Sequence, residues 1–361
     1  MSLSRGRHRA DRAQLRTTTV PGRVSAPVAD SGRTPPVPAM PEAAPVARPA
    51  SEDTFEVEDA PFDAPTIGAV ERRPHAGRLP SAIGWSSAGI ALDAGRAGPY
   101  WVSAGSLVGR GHAWAGTTRQ DSYALAFPEG EGSLVLAVAD GLGSRSRSQL
   151  GARHLAAAVA REFVTAEQES AATDDETLLL EAIARAQSEL AAVWAPAYGV
   201  TDTRALACTL AVVVLPADLG TRPVLAARVG DSTVFTATDA ESEPFDEVFP
   251  LGDGPINMVS ASLPAAGFRK DIEIRRLDPA GLSKLVLCTD GVADDVYESP
   301  GVRAWLARRW QRPCTERWML ESLSYARAGS QDDRTAVVVW LSPGTGPARP
   351  PAAGEGADGA D

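Results

Sequence analysis

Apolar residues along this chain fall into two patterns. Short apolar runs bounded by Gly, Pro, Asp or Ser recur at 101–108, 122–127, 134–139, 206–215, 223–229, 233–237, 272–277, 284–288 and 335–341, and read as strands. Between them the spacing turns helical. Leu155, Val159 and Phe163 repeat every four residues, and Leu179, Ile183, Ala186, Leu190 and Val193 form a second stripe. That second helix opens near Asp174-Asp175-Glu176, acids suited to the positive end of a helix dipole. Two more helices carry Val302, Trp305 and Leu306, then Trp318, Met319, Ser322, Leu323 and Ala326. One helix pair follows the early strands and another precedes the last strand, without regular β-α-β alternation. The pattern predicts a layered α+β domain rather than a doubly wound parallel sheet.

The ends lack either period. Residues 1–98 are read as a Pro/Ala/Arg-rich tail and linker, 99–342 as the folded domain, and 343–361 as a second unfolded tail. Of the 361 residues 44% are hydrophobic, ample for a real core, and the net charge is −11. Residues 1–50 hold eight arginines against three acids, so the remainder is strongly acidic, opposite to the footprint of a nucleic-acid-binding core. No apolar stretch approaches the roughly 18–20 residues that span a bilayer. Cys208, Cys288 and Cys314 form an odd, scattered set that reads as reduced thiols in the cytoplasm rather than a disulfide frame.

Charge becomes informative where the strands stop. Asp121, Asp140, Asp231, Asp290 and Asp332 lie in five separated segments, and three of them directly follow apolar runs. Any one Asp-Gly or Gly-Asp pair reads most simply as a turn. Five strand-end acids are harder to explain so, because a buried carboxylate without a cation or donor is costly. Carboxylates without His or Cys among them suit magnesium or manganese. Zinc fails for lack of Cys/His spacing, and no Gly-x-Ser-x-Gly elbow supports a serine hydrolase.

The ordered motifs resemble those of the metal-dependent, type 2C (PPM) protein phosphatases, across about 101–341. The series runs Gly109-Arg110-Gly111-His112 to Gln120-Asp121, then Val138-Ala139-Asp140-Gly141-Leu142-Gly143-Ser144 with Gly151-Ala152. It continues through Thr209-Leu210, Val229-Gly230-Asp231-Ser232, Leu287-Cys288-Thr289-Asp290-Gly291 and Asp332 with Thr335-Ala336-Val337-Val338, and is closest to a bacterial branch. The resemblance implies a four-layer α-β-β-α sandwich, two antiparallel β-sheets flanked by helix pairs, with a dinuclear metal site at one edge. It assigns Asp140 as bridging ligand, Gly141 as carbonyl ligand, Asp290 and Asp332 as terminal ligands, Asp121 as a second-metal or outer acid, and Asp231 to a weaker third ion. Asp140, Asp290 and Asp332 then form the catalytic set. A pair of manganese or magnesium ions ~3.5–4 Å apart would bind phosphate and acidify the attacking water.

Three departures from that pattern matter. An Asp-Asn pair becomes Asp332-Asp333, which suggests an extra charge near substrate whose removal in Asp333→Asn would raise activity. The histidine that eukaryotic members carry after their Asp-Gly is missing from 142–145. The phosphate-gripping arginine's place is Gly116, leaving His112, Arg119 and Arg145 as candidate phosphate or proton contacts, Arg110 as a further arginine, and His112 equally readable as structural. The sequence therefore reads as a cytoplasmic, monomeric Ser/Thr phosphatase acting on phosphoproteins, with neither nucleic acid nor membrane as partner. Its rival is an inactive member that binds a partner or phosphoprotein through the same surface. Substrate choice is expected to depend on the stretch between Asp231 and Asp290, including 250–254 and 265–267.

Overall fold

The computed structural model describes residues 66–67, 89–128, 132–169, 174–237, 244–250, 261–280 and 282–341, all within one compact unit, 53–361. Two antiparallel sheets share an apolar interior. The first holds β4 (Ser122–Ala126), β5 (Leu134–Ala139), β6 (Leu210–Leu215), β7 (Val224–Val229) and β10 (Glu273–Leu277), in the order β10-β7-β6-β5-β4. The second holds β2 (Ile90–Ala97), β3 (Tyr100–Leu107), β8 (Thr233–Ala237), β9 (Phe245–Glu247), β11 (Lys284–Cys288) and β13 (Arg334–Trp340), ordered β2-β3-β13-β11-β8-β9. A separate parallel pair joins β1 (Thr66–Ile67) to β12 (Ala326–Arg327).

Strand alternation divides the core. Along β5, Leu134, Leu136 and Val138 enter the interior between the sheets, while Val135, Ala137 and Ala139 face α2 (Ser148–Glu169) and α3 (Asp175–Glu189). The same split runs along β6, so both faces are buried and the strand reads as an unbroken apolar run. The second sheet's outer face packs on α5 (Asp290–Glu298), α6 (Pro300–Arg309) and α7 (Glu316–Leu323). Asp174 caps α3 by accepting from Glu176 and Thr177 N–H, as the acidic run predicts. Past α3 the chain continues through a π-helical turn, Leu190–Trp194, into the single turn α4 (Ala195–Ala197). Val193, counted in the sequence stripe, is exposed there because the wider turn rotates it off the apolar face.

Two elements correct the sequence reading. Strand β2 falls inside 1–98 yet pairs along its length with β3, from Ile90↔Leu107 to Ala97↔Tyr100. Its Ile-Ala-Leu-Asp-Ala-Gly-Arg-Ala sequence is weakly apolar because it is an edge strand, half open to solvent. Asp93 also accepts from the Tyr123 hydroxyl at 2.7 Å, tying this edge to β4. Starting the chain at residue 98 removes that strand and is expected to lower the melting temperature by about 5–10 °C against the full chain, measured by calorimetry. An unchanged melting point would show that β2 adds nothing to stability. The other correction is α5, since Asp290-Gly291 opens a helix rather than a turn, burying Val292, Ala293 and Val296. The remainder of 1–98 apart from 66–67, the 343–361 tail and the 251–260 part of the proposed substrate segment lie outside the described residues.

Candidate metal centre

The antiparallel pairings bring the ends of β5, β7 and β11 to one edge of the sandwich. Asp140 follows β5, Asp231 lies just beyond β7, and Asp290 begins α5 two residues after β11. Each of these three carboxylates offers an oxygen within 4.8 Å of the others. Asp332 groups by the same measure with His112 and Asp333. Asp121 lies between the two groups, almost fully buried, and its Oδ2 accepts from the Thr289 hydroxyl at 2.7 Å. Gly141, directly after Asp140, is held in a bridge to Cys208.

Tight main-chain packing sets this arrangement. A side chain at Gly109 would meet the Asp332 carbonyl carbon at 2.2 Å, and one at Gly291 would meet the Asp333 oxygen at 2.0 Å. Glycine on both sides lets the 332–333 backbone fit between the first-motif loop and the start of α5. Behind Asp140, the Thr209 hydroxyl accepts its main-chain N–H at 3.2 Å and pairs with the Ser232 hydroxyl at 2.6 Å. Thr209 N–H in turn donates to the Asp140 carbonyl at 2.8 Å.

So many acids together cannot ionise cheaply. Burial, then the Asp333 charge, pushes Asp121 up to about 7. Burial and the charges of neighbouring acids raise Asp140 and Asp290 well above the carboxylate range, and Asp231 and Asp332 move the same way, chiefly through desolvation. The Asp231 Oδ1 atom is buried with no hydrogen-bond partner among the described residues. An orphaned acceptor within a set of all-oxygen donors fits a hard divalent cation. These carboxyls are protonated more readily folded than unfolded, so in EDTA they cost stability as pH rises from ~4 toward ~7. Calorimetric melts in EDTA should therefore fall across that range, with manganese flattening the trend; a pH-independent EDTA melt would contradict the uncompensated cluster.

Asp333 corrects a sequence expectation. It is buried, and its Oδ1 accepts from Gly109 N–H at 2.6 Å and pairs with His112 Nδ1 at 2.9 Å, while Oδ2 accepts from Gln120 N–H at 2.5 Å. It is an anchor for the first-motif loop, not a bare charge facing substrate. Its hydrogen bond is the main reason that His112 is raised above the usual imidazole value. Gly116 takes φ 71° and closes α1 (Arg110–Ala115), so the position where the resemblance expects an arginine is a helix terminus. The Arg119 Nη1 donates to the Asp121 carbonyl at 2.9 Å. Arg145 sits exposed on the loop after Gly141, and its charge acts on Asp202. Sequence reasoning missed Asp294, one turn after Asp290 on α5 and pushed up to about 6 by burial and nearby acids, Glu298 first. The four-residue spacing would have revealed it had α5 been recognised.

The sequence profile described as Protein phosphatase 2C matches residues 108–326. Solved structures similar to this chain include one of a bacterial serine phosphatase, 14% identical, covering 67% of this chain and 97% of that one, with a TM-score of 0.46. RsbX in complex with magnesium is 17% identical over 70% of this chain and 100% of that one, with a TM-score of 0.41. Serine/threonine phosphatase Stp1 from Staphylococcus aureus is 14% identical over 75% of this chain and 99% of that one, with a TM-score of 0.43. No curated protein sequence matches the chain. Among the described residues, no helix is long and apolar enough to cross a membrane.

Proposed function

This chain belongs to the protein phosphatase 2C family, and from that membership we propose that it hydrolyses phosphoserine and phosphothreonine monoesters in proteins with divalent manganese or magnesium. The observation carrying the proposal is the meeting of Asp140, Asp231 and Asp290, from three distant segments, at carboxylate distances that suit a shared cation. In this reading Asp140, Asp290 and Asp332 would hold two ions, Asp121 and the Gly141 carbonyl would add to that set, and Asp231 would hold a weaker third. Bound there, such ions supply the positive charge that admits a phosphate dianion and the acidity that makes water a nucleophile at neutral pH.

The chain's own residues have separate tasks. Thr289 fixes the Asp121 carboxylate, and Thr209 fixes the main chain of Asp140. With its Nδ1 engaged by Asp333, His112 has Nε2 left for a proton or phosphate contact. The rival reading, an inactive binding module, drew on Asp333 as a repelling charge. The anchoring role of that carboxylate removes this support, while the missing arginine at Gly116 still favours the rival. Soluble cytoplasmic placement, a monomeric state and a phosphoprotein partner belong to the same proposal. The test is p-nitrophenyl phosphate turnover by the purified full chain, present with manganese and abolished by EDTA. Absence of turnover at saturating manganese would favour the inactive module.

A further inference from the structure

Helix α1 has no buried residue, so core packing does not account for its presence. Polar ties to 331–333, the segment leading into β13, hold it instead. Gly109 N–H and His112 Nδ1 meet Asp333, Gly111 N–H donates to the Gln331 carbonyl at 2.8 Å, and the Gly116 N–H closes the C-terminus on the Ala113 and His112 carbonyls. A short helix anchored at its N-terminal end and closed on itself at the other is a lip beside the candidate metal centre. On that lip stands Trp114, 65% exposed and the most exposed large apolar side chain among the described residues. It lies two positions beyond His112, on the opposite side of the helix at ~100° per residue. Arg110, also exposed, lies one turn earlier on the same side as Trp114.

We propose that this outer face of α1 selects substrate, Trp114 receiving an apolar or aromatic side chain close in sequence to the phosphorylated serine or threonine, and Arg110 favouring an acidic neighbour. The proposal rests on the phosphatase reading and names the substrate feature it would recognise. Reach supports it. From Gly109, in contact with the Asp332 backbone, Trp114 is five residues along, or about 7.5 Å of helical rise. Crossing the ~10 Å width of the helix to its outer face as well makes the span about 12 Å, which an extended peptide covers in about four residues at about 3.3 Å each. Charge supports it as well, because Arg110 is a cation standing outside a cluster of acids, where an acidic flanking residue avoids their repulsion. A tryptophan side chain has only two rotatable bonds to fix when covered, which is one reason such side chains dominate binding energies.

The experiment compares the full-length wild type with Trp114→Ala and Trp114→Phe, in manganese, on three substrates. These are p-nitrophenyl phosphate, a phosphothreonine peptide with phenylalanine about four residues away, and the same peptide with alanine there. Affinity for both peptides is read in parallel by fluorescence anisotropy. Trp114→Ala should leave p-nitrophenyl phosphate turnover within twofold, weaken binding of the phenylalanine peptide about tenfold, raise its KM rather than lower kcat, and spare the alanine peptide. Trp114→Phe should recover most of the loss. Equal losses on all substrates, or none on any, would overturn the proposal. A wild type without turnover that still binds the phenylalanine peptide through Trp114 would sink the enzymatic reading and sustain the docking face.

Discussion

Asp140→Asn is expected to reduce turnover about a thousandfold or more while leaving the protein folded, a loss of about 4 kcal/mol of transition-state stabilisation at 1.36 kcal/mol per tenfold. Asp140 directly follows a strand buried on both faces, and burial, together with the charges of Asp121, Asp290 and Asp332, raises its carboxyl. An amide there keeps the shape and removes the anion. Without metal the change relieves repulsion, so the variant should melt above wild type in EDTA at pH 8. With manganese the order should reverse, because wild type gains binding energy that the variant has lost. Calorimetric titration with manganese and paired melts check both halves. Wild-type turnover, or unchanged manganese stabilisation, would remove Asp140 from the metal site. Asp290→Asn and Asp332→Asn should act more mildly and recover partly in excess manganese, since each serves chiefly one ion in this assignment.

Asp333→Asn should weaken the protein, the reverse of what its charge alone suggests. The carboxylate accepts two main-chain N–H groups and a histidine on its two oxygens. An amide has one accepting oxygen, and in either orientation its NH2 faces the N–H of Gly109 or Gln120. Leaving one such donor buried without an acceptor costs about 1–3 kcal/mol. At roughly 2–4 °C per kcal/mol for a domain of this size, the melting point should fall by ~2–12 °C. Manganese should also bind more weakly, because Gln120 precedes Asp121 and a loosened loop displaces that acid. A raised rate with unchanged melting would show that the charge near substrate matters more than the anchor.

What the sequence revealed follows from where its information is local. Strands β5 and β6 are buried on both faces and announce themselves as unbroken apolar runs, and β7 and β11 are nearly so, interrupted only by Arg228 and Lys284. The acids at their ends stand out for the same reason, so Asp140, Asp231 and Asp290 were legible before any fold. Strand β2 was not, since half of an edge strand meets water and its composition resembles a linker. Helix α1 buries nothing and leaves no periodic trace. Helix α5 was hidden by Asp290-Gly291, a pair that favours turns in isolation, and Asp294 was hidden with it. The role of Asp333 depends on Gly109 and Gln120, more than two hundred residues away, converging on one carboxylate. No local pattern encodes such a meeting.

The most direct measurement is diffraction at the manganese absorption edge from crystals of the full chain grown with manganese. The account predicts anomalous peaks among the carboxylates of Asp140, Asp290 and Asp332, with a weaker one beside Asp231. Ordered carboxylates there without anomalous density, or density confined to His112 and Asp333, would contradict it.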